Sequence, residues 1–182
     1  MTPARRGVKY IAFLRAINVG GHVVKMDHLR KLFEKMGFTS VETFIASGNV
    51  VFDSLSSDAS ALETRIARDL KKALGYEVET FIRSCAEVAA IAVHEPFEDV
   101  PKDCKLHVCF LKTTADKATR EKLNTLRTKD DDFVAHKREL YWKTRGSFGQ
   151  SPAAVPFGKI AGTIGTMRNV TTVRKLAAKY PV

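Results

Sequence analysis

The order of its periodic segments constrains this chain more than any single residue does. Val8 to Leu14 is a mostly apolar run, the pattern of a buried strand. Gly20-Gly21 follows, and then Met26, Leu29, Leu32, Phe33 and Met36 recur at helical spacing until Gly37 stops them. Val41 to Ile45 and Val50 to Phe52 are short β-branched and aromatic runs around Ser47-Gly48-Asn49, which reads as a hairpin turn. Asp58 and Ser60 can cap a second helix, and Ser60 stands in capping-box spacing from Glu63. That helix carries Leu62, Ile66, Leu70 and Leu74 on one stripe and ends at Gly75, before a strand over Val78 to Ile82. The order is β-α-β-β-α-β, the ferredoxin-like signature.

The second half starts in the same way. Leu106 to Leu111 reads as a strand, Ala115 to Leu126 as a charged helix, and Phe133 to Ala135 with Leu140 to Lys143 as a hairpin across Lys137-Arg138. Beyond it the parallel breaks down. Gly146 to Gly165 holds five glycines and two prolines and reads as loop with at most one short helix. Asn169 to Tyr180 reads as a final helix, and no fourth strand stands out. The expected fold class is α+β, with two βαββ-type (ferredoxin-like) modules, antiparallel sheets and a C-terminal helix. The expected boundaries are a first module over 1–84, a connecting helix and linker over 85–104, and a second module over 105–182.

A chain of 182 residues, 45% of them hydrophobic, can bury a core without help from disulfides or metals. Cys85, Cys104 and Cys109 have no CxxC spacing, so reduced thiols are expected and no metal or cofactor is. The opening stretch lacks the pattern of a secretory leader, and no run approaches a membrane span, so a cytoplasmic location without membrane contact is expected. The formal net charge is +10. From Val134 onward there are 9 Lys+Arg against one acid, Glu139, so the last quarter carries most of the imbalance. Such a field favours anionic partners. The sequence leaves the oligomeric state open.

Three groups of residues are candidates for binding. In a ferredoxin-like sheet the loop after strand 1 and the turn between strands 2 and 3 open at the same end. Here those segments supply Arg15, Asn18, Gly20 and Gly21, and Ser47, Gly48 and Asn49. Arginine grips a carboxylate or phosphate with two hydrogen bonds, and glycine lets backbone N–H groups approach a ligand. The competing reading is a set of ordinary tight turns, with Arg15 paired to an acid. The second group is Thr166, Arg168 and Asn169, read as the start of the last helix, where an anion or a plain N-cap would fit. The third is Tyr141 with Lys137, Arg138, Lys143 and Arg145, basic residues beside aromatics on a strand, an arrangement that suits single-stranded nucleic acid. No catalytic motif is present, so a hydrolase or transferase reading has no nucleophile or base to offer. Asp130-Asp131-Asp132 reads as a solvated turn rather than a cation site.

The strings YIAFLRAINVGG and KMDHLRKLFEKMGFTSVETFIASGNVVF, followed by FIRSCAEVAAI…EPF, LHVCFL, RELYW and TMRNVTTVRKL, resemble the bacterial domain-of-unknown-function family 1697. The resemblance runs from about Tyr10 to Tyr180. It implies ferredoxin-like halves and no assigned activity. The family's motifs match at Arg15, Asn18, Gly20, Gly21, Ser47, Gly48, Asn49, Arg83, Thr166, Arg168 and Asn169. Ala16 replaces the family's usual glycine, and Val170 its usual tryptophan. The leading expectation is therefore a binder of a phosphorylated or nucleotide-like small molecule, with nucleic-acid binding as the alternative. If the two polar groups met in space, the Gly146 to Gly165 segment would be a candidate lid.

Overall fold

The computed structural model describes residues 7–18, 20–45 and 48–182. Two compact units divide the chain: Met1–Val88 with Tyr180–Val182, and Ala89–Lys179.

The first unit contains β1 (Val8–Leu14), α1 (Met26–Lys35), β2 (Thr39–Thr43), β3 (Asn49–Ser54), α2 (Ala59–Leu74) and β4 (Thr80–Ser84), and α3 (Cys85–Val93) begins directly after it. The sheet order is β2-β3-β1-β4, with each neighbour antiparallel. Side chains alternate across β1. Tyr10, Ala12 and Leu14 join Leu29, Phe33, Leu62, Ile66 and Leu70 in the core beneath the helices. Ile11 and Phe13 point the other way and are also buried. Burial on both faces explains why β1 reads as a continuous apolar run instead of an alternating one.

Helix α2 is capped by Asp58, whose Oδ1 accepts from the Ala61 N–H at 2.9 Å. Glu63 does not complete a capping box with Ser60. It is buried, and its Oε1 accepts from the Ile82 N–H at 2.7 Å, tying α2 to β4. The true capping box lies at the start of α3. There the Ser84 Oγ accepts from the Glu87 N–H at 3.2 Å, and the Glu87 Oε2 accepts from the Ser84 N–H at 2.8 Å.

The second unit repeats this plan through its last strand. It contains β5 (Cys104–Leu111), α4 (Lys117–Thr125), β6 (Asp131–His136), β7 (Glu139–Arg145), α5 (Ala154–Ile164), β8 (Gly165–Asn169) and α6 (Val170–Lys179). Its sheet order, β6-β7-β5-β8, matches the first. Both modules are thus βαββαβ followed by a helix, and the chain is α+β with two antiparallel sheets.

Two expectations are corrected here. The glycine-rich segment forms a short 3-10 turn (Phe148–Gln150) and the 11-residue helix α5, whose Phe157 and Ala161 pack into the core. It is a structural element of the second core, not a lid. The fourth strand also exists. It carries Thr166 to Asn169, which therefore lie in a strand and not in a helix start. Gly165 opens β8 at a crowded point. A Cβ there would stand 2.6 Å from both the Cys109 Sγ and the Phe110 carbonyl oxygen.

Candidate functional site

Within the first unit, the end of β1 that precedes Arg15 meets the β2–β3 connection that carries Gly48 and Asn49, while Ser47 lies outside the described residues. The Leu14 N–H donates to the Gly48 carbonyl at 2.8 Å, which fastens the end of β1 to the β2–β3 connection. Gly48 has φ +72°, and a Cβ on it would meet the Ile17 Cγ2 at 2.7 Å and the Leu14 Cβ at 3.3 Å. Glycine is required there twice over, by backbone conformation and by contact. Asn49 is fully buried, and its Nδ2 donates to the Phe44 carbonyl at 2.9 Å. Its role is to close the connection from within.

The β1–α1 loop is held in the same way. The Asn18 Oδ1 accepts from the Val24 N–H at 2.7 Å, and the Tyr76 hydroxyl donates to the Ile17 carbonyl at 2.9 Å. Gly20 and Gly21 have φ of +63° and +84°, with nothing within 4 Å of an added Cβ, and both residues are exposed. Arg15 donates its N–H to the Glu79 carbonyl at 2.8 Å, and its guanidinium lies 3.6 Å from the Glu79 carboxylate. Both side chains are partly exposed, a setting in which an ion pair contributes about 0–1 kcal/mol. Ala16 and Ile45 both adopt left-handed φ, near +60°. For a β-branched residue such as Ile45 that is a strained outlier. Both strained residues flank this end of the sheet.

The second group belongs to the second unit and is built into its sheet. Arg168 pairs with Val108 across β5 and β8 and is 9% exposed. Its Nη1 donates to the Thr166 Oγ1 at 3.0 Å and to the Met167 carbonyl at 2.8 Å. Burial lowers its pKa to about 10, so it stays a cation at neutral pH. The Asn169 Oδ1 accepts from the Thr171 N–H at 2.8 Å and caps α6.

Arg83 was missed as more than a motif match. It is buried in β4, and its Nη1 donates to the Ile82 carbonyl at 2.8 Å, the counterpart of Arg168 on Met167. In both modules an arginine in the last strand folds back on the preceding carbonyl, and a capping Ser84 or Asn169 follows it. The internal match of Arg83-Ser84 with Arg168-Asn169 was the signal that would have revealed β8.

The third group offers no stacking surface on its strand. Tyr141 and Trp142 point to opposite faces of β7, and both are buried. Lys143 donates to the Asp99 carbonyl at 3.0 Å and lies over the Phe97 ring. Arg145 pairs with Asp103 at 2.5 Å and Asp130 at 3.3 Å. Lys137, at φ +51°, and Arg138 form the β6–β7 turn.

The Asp130-Asp131-Asp132 run is not a uniformly solvated turn. Asp131 is 2% exposed and accepts from the Trp142 Nε1 at 2.9 Å, the Ser151 Oγ at 2.8 Å and the Thr128 Oγ1 at 2.9 Å. Among the described residues, no three His, Cys, Asp or Glu side chains gather as metal ligands, and no helix is long and apolar enough to cross a membrane.

Two four-stranded antiparallel sheets of identical strand order, each carrying helices, define a protein of duplicated ferredoxin-like modules. The chain belongs to the family described as "Protein of unknown function (DUF1697)", whose model matches residues 8–141. Among solved structures it is similar to a conserved bacterial protein, SP0830, from Streptococcus pneumoniae. The TM-score is 0.76 at 21% identity, over 95% of this chain and 98% of that one. At that identity the likeness is one of fold. No curated protein matches.

Proposed function

We propose that the first unit binds a small phosphorylated anion at the end of its sheet where the β1–α1 loop meets the β2–β3 connection. The observation that carries this reading is the junction of the two segments. The Leu14–Gly48 hydrogen bond and the close seat of Gly48 on Ile17 fasten the end of β1, where Arg15 follows, to that connection as a rigid base, and Gly20-Gly21 lie exposed further along the same loop. A guanidinium on a loop with exposed glycine backbone suits a phosphate, because both offer N–H donors to its oxygens. The Glu79 carboxylate competes for Arg15. A dianionic phosphate has the greater charge and can form the same bidentate pair, so it can displace a partly exposed carboxylate. The second group does not enter this reading. Its arginine is already engaged within β8, and its asparagine caps α6.

Calorimetric titration of the full chain with inorganic phosphate and ribose 5-phosphate tests the proposal. Arg15→Ala should weaken binding by about 1.5–3 kcal/mol, the usual worth of a charge-assisted hydrogen bond. Unchanged affinity in that variant would refute it.

A further inference from the structure

An aromatic pair adjoins the Gly20-Gly21 part of the proposed anion site. His22 follows the Gly20-Gly21 pair directly. Its ring stacks on Tyr76 with centroids 3.9 Å apart and planes inclined by 17°. Tyr76 is in turn fixed to the β1–α1 loop by its hydroxyl, which donates to the Ile17 carbonyl. The loop is closed around His22 by the hydrogen bond between Asn18 and Val24, one on either side of it. His22 is exposed. Since one ring face is covered by Tyr76, the exposed surface is the opposite face and the ring edge. The imidazole is thus a flat ring, backed by a second ring, held on a closed loop and open on one side.

We propose that this His22–Tyr76 stack receives a nucleobase, so that the ligand of the first unit is a mononucleotide. This rests on the reading that the Arg15 end of the sheet takes a phosphate. The two features are complementary. Arg15 and the glycine backbone offer charge and N–H donors, which a sugar phosphate would satisfy on its own. The exposed ring adds a flat face on which a base can stack, a contact that a sugar phosphate alone does not make. Stacking on an aromatic side chain is tolerant of base identity, since every base has a π-face. The ligand class is therefore a purine or pyrimidine nucleotide without a fixed base. Fixing the ring in advance lowers the ordering cost of the contact, as rigid aromatic anchors do elsewhere.

The test compares AMP, ribose 5-phosphate and adenosine, titrated calorimetrically into the full chain and into His22→Ala, His22→Phe and Arg15→Ala. Wild type is expected to bind AMP about tenfold more tightly than ribose 5-phosphate, a modest base-stacking gain. His22→Ala should abolish that preference, and His22→Phe, which keeps a flat ring, should retain it. A merely structural stack would lower the thermal midpoint of His22→Ala without touching the ratio of the two affinities. Arg15→Ala should weaken both phosphates and leave adenosine unaffected. Equal wild-type affinity for AMP and ribose 5-phosphate, or a preference that survives His22→Ala, overturns the stacking proposal and leaves the phosphate reading standing. Binding of AMP and adenosine alike, with ribose 5-phosphate silent, overturns the phosphate reading and leaves the stack. Binding of none of the three overturns both.

Discussion

Replacing Asp131 with alanine should remove a large share of the stability of the second unit. The carboxylate is 2% exposed and accepts three hydrogen bonds, from Trp142, Ser151 and Thr128. The three losses are unequal. Trp142 is fully buried against Phe133, Phe148 and Phe157, with ring centroids 4.8–5.3 Å away, so its indole N–H cannot turn to water. Leaving such a donor unsatisfied costs about 1–3 kcal/mol. The Ser151 and Thr128 hydroxyls can turn toward water, and each loses about 1 kcal/mol. The sum is about 3–5 kcal/mol, against about 5–15 kcal/mol for a whole domain.

Urea unfolding followed by circular dichroism measures the loss. Trp142, the only tryptophan, reports the same transition by fluorescence. Asp131→Asn keeps one acceptor oxygen and should lose less than the alanine variant. A pH corollary follows. Burial alone would raise the pKa of Asp131, but the hydrogen bonds led by Ser151 outweigh it and hold it below the ordinary carboxylate range. A depressed folded-state pKa gives stability that is fully present above the unfolded value and is lost as pH falls through the folded one. Asp131→Ala should therefore lack part of the wild-type loss in acid. A measured loss below about 1 kcal/mol would mean that the cost of burying the carboxylate had cancelled its hydrogen bonds, and the reasoning would be wrong.

Other outcomes can be stated briefly. Gly48→Ala combines a left-handed backbone with a Cβ 2.7 Å from Ile17 and should cost about 2–4 kcal/mol in denaturant unfolding. A cost near zero would show that the connection can shift and is not the rigid base invoked above. His94 stacks on His136 at 4.2 Å and leans on Tyr141. Burial first, then the charges of His136 and Lys137, lower its pKa, while Glu139 acts in the opposite sense. Its neutral form is thus favoured by folding, and its contribution is lost as pH falls from about 6.5 toward the lowered folded value. His94→Phe should flatten that part of the pH–stability curve, and NMR titration of the wild-type ring would locate the folded value directly.

Much of the first module was legible because its signals were local. Apolar spacing marked α1 and α2, Gly37 and Gly75 ended them at positive φ, and the unbroken apolar run of β1 foretold burial on both faces. The second module was half legible. Its glycines and prolines pointed to loop, yet α5 forms because Phe157 and Ala161 gain burial against Trp142 and Phe133, outweighing weak intrinsic propensity. Strand β8 was hidden for a related reason. It is a 5-residue strand whose arginine is accommodated inside because partners such as Thr166 and a backbone carbonyl receive it. A lone charged residue in a short segment looks like surface until its partners are known.

The candidate site divided along the same line. That the end of β1 and the β2–β3 connection would be neighbours followed from chain order, because the strand order of a βαββαβ sheet fixes which loops lie side by side. Burial and partner choice did not follow. Asn49 turned inward, Arg168 joined the sheet interior, and Tyr141 was buried along with Trp142, all with residue types that also occur on surfaces. The chain's own order decided the topology, since periodicity and turn chemistry act over a few residues. Which polar groups are spent inside and which face a ligand was left to tertiary packing, because that depends on partners dozens of residues away.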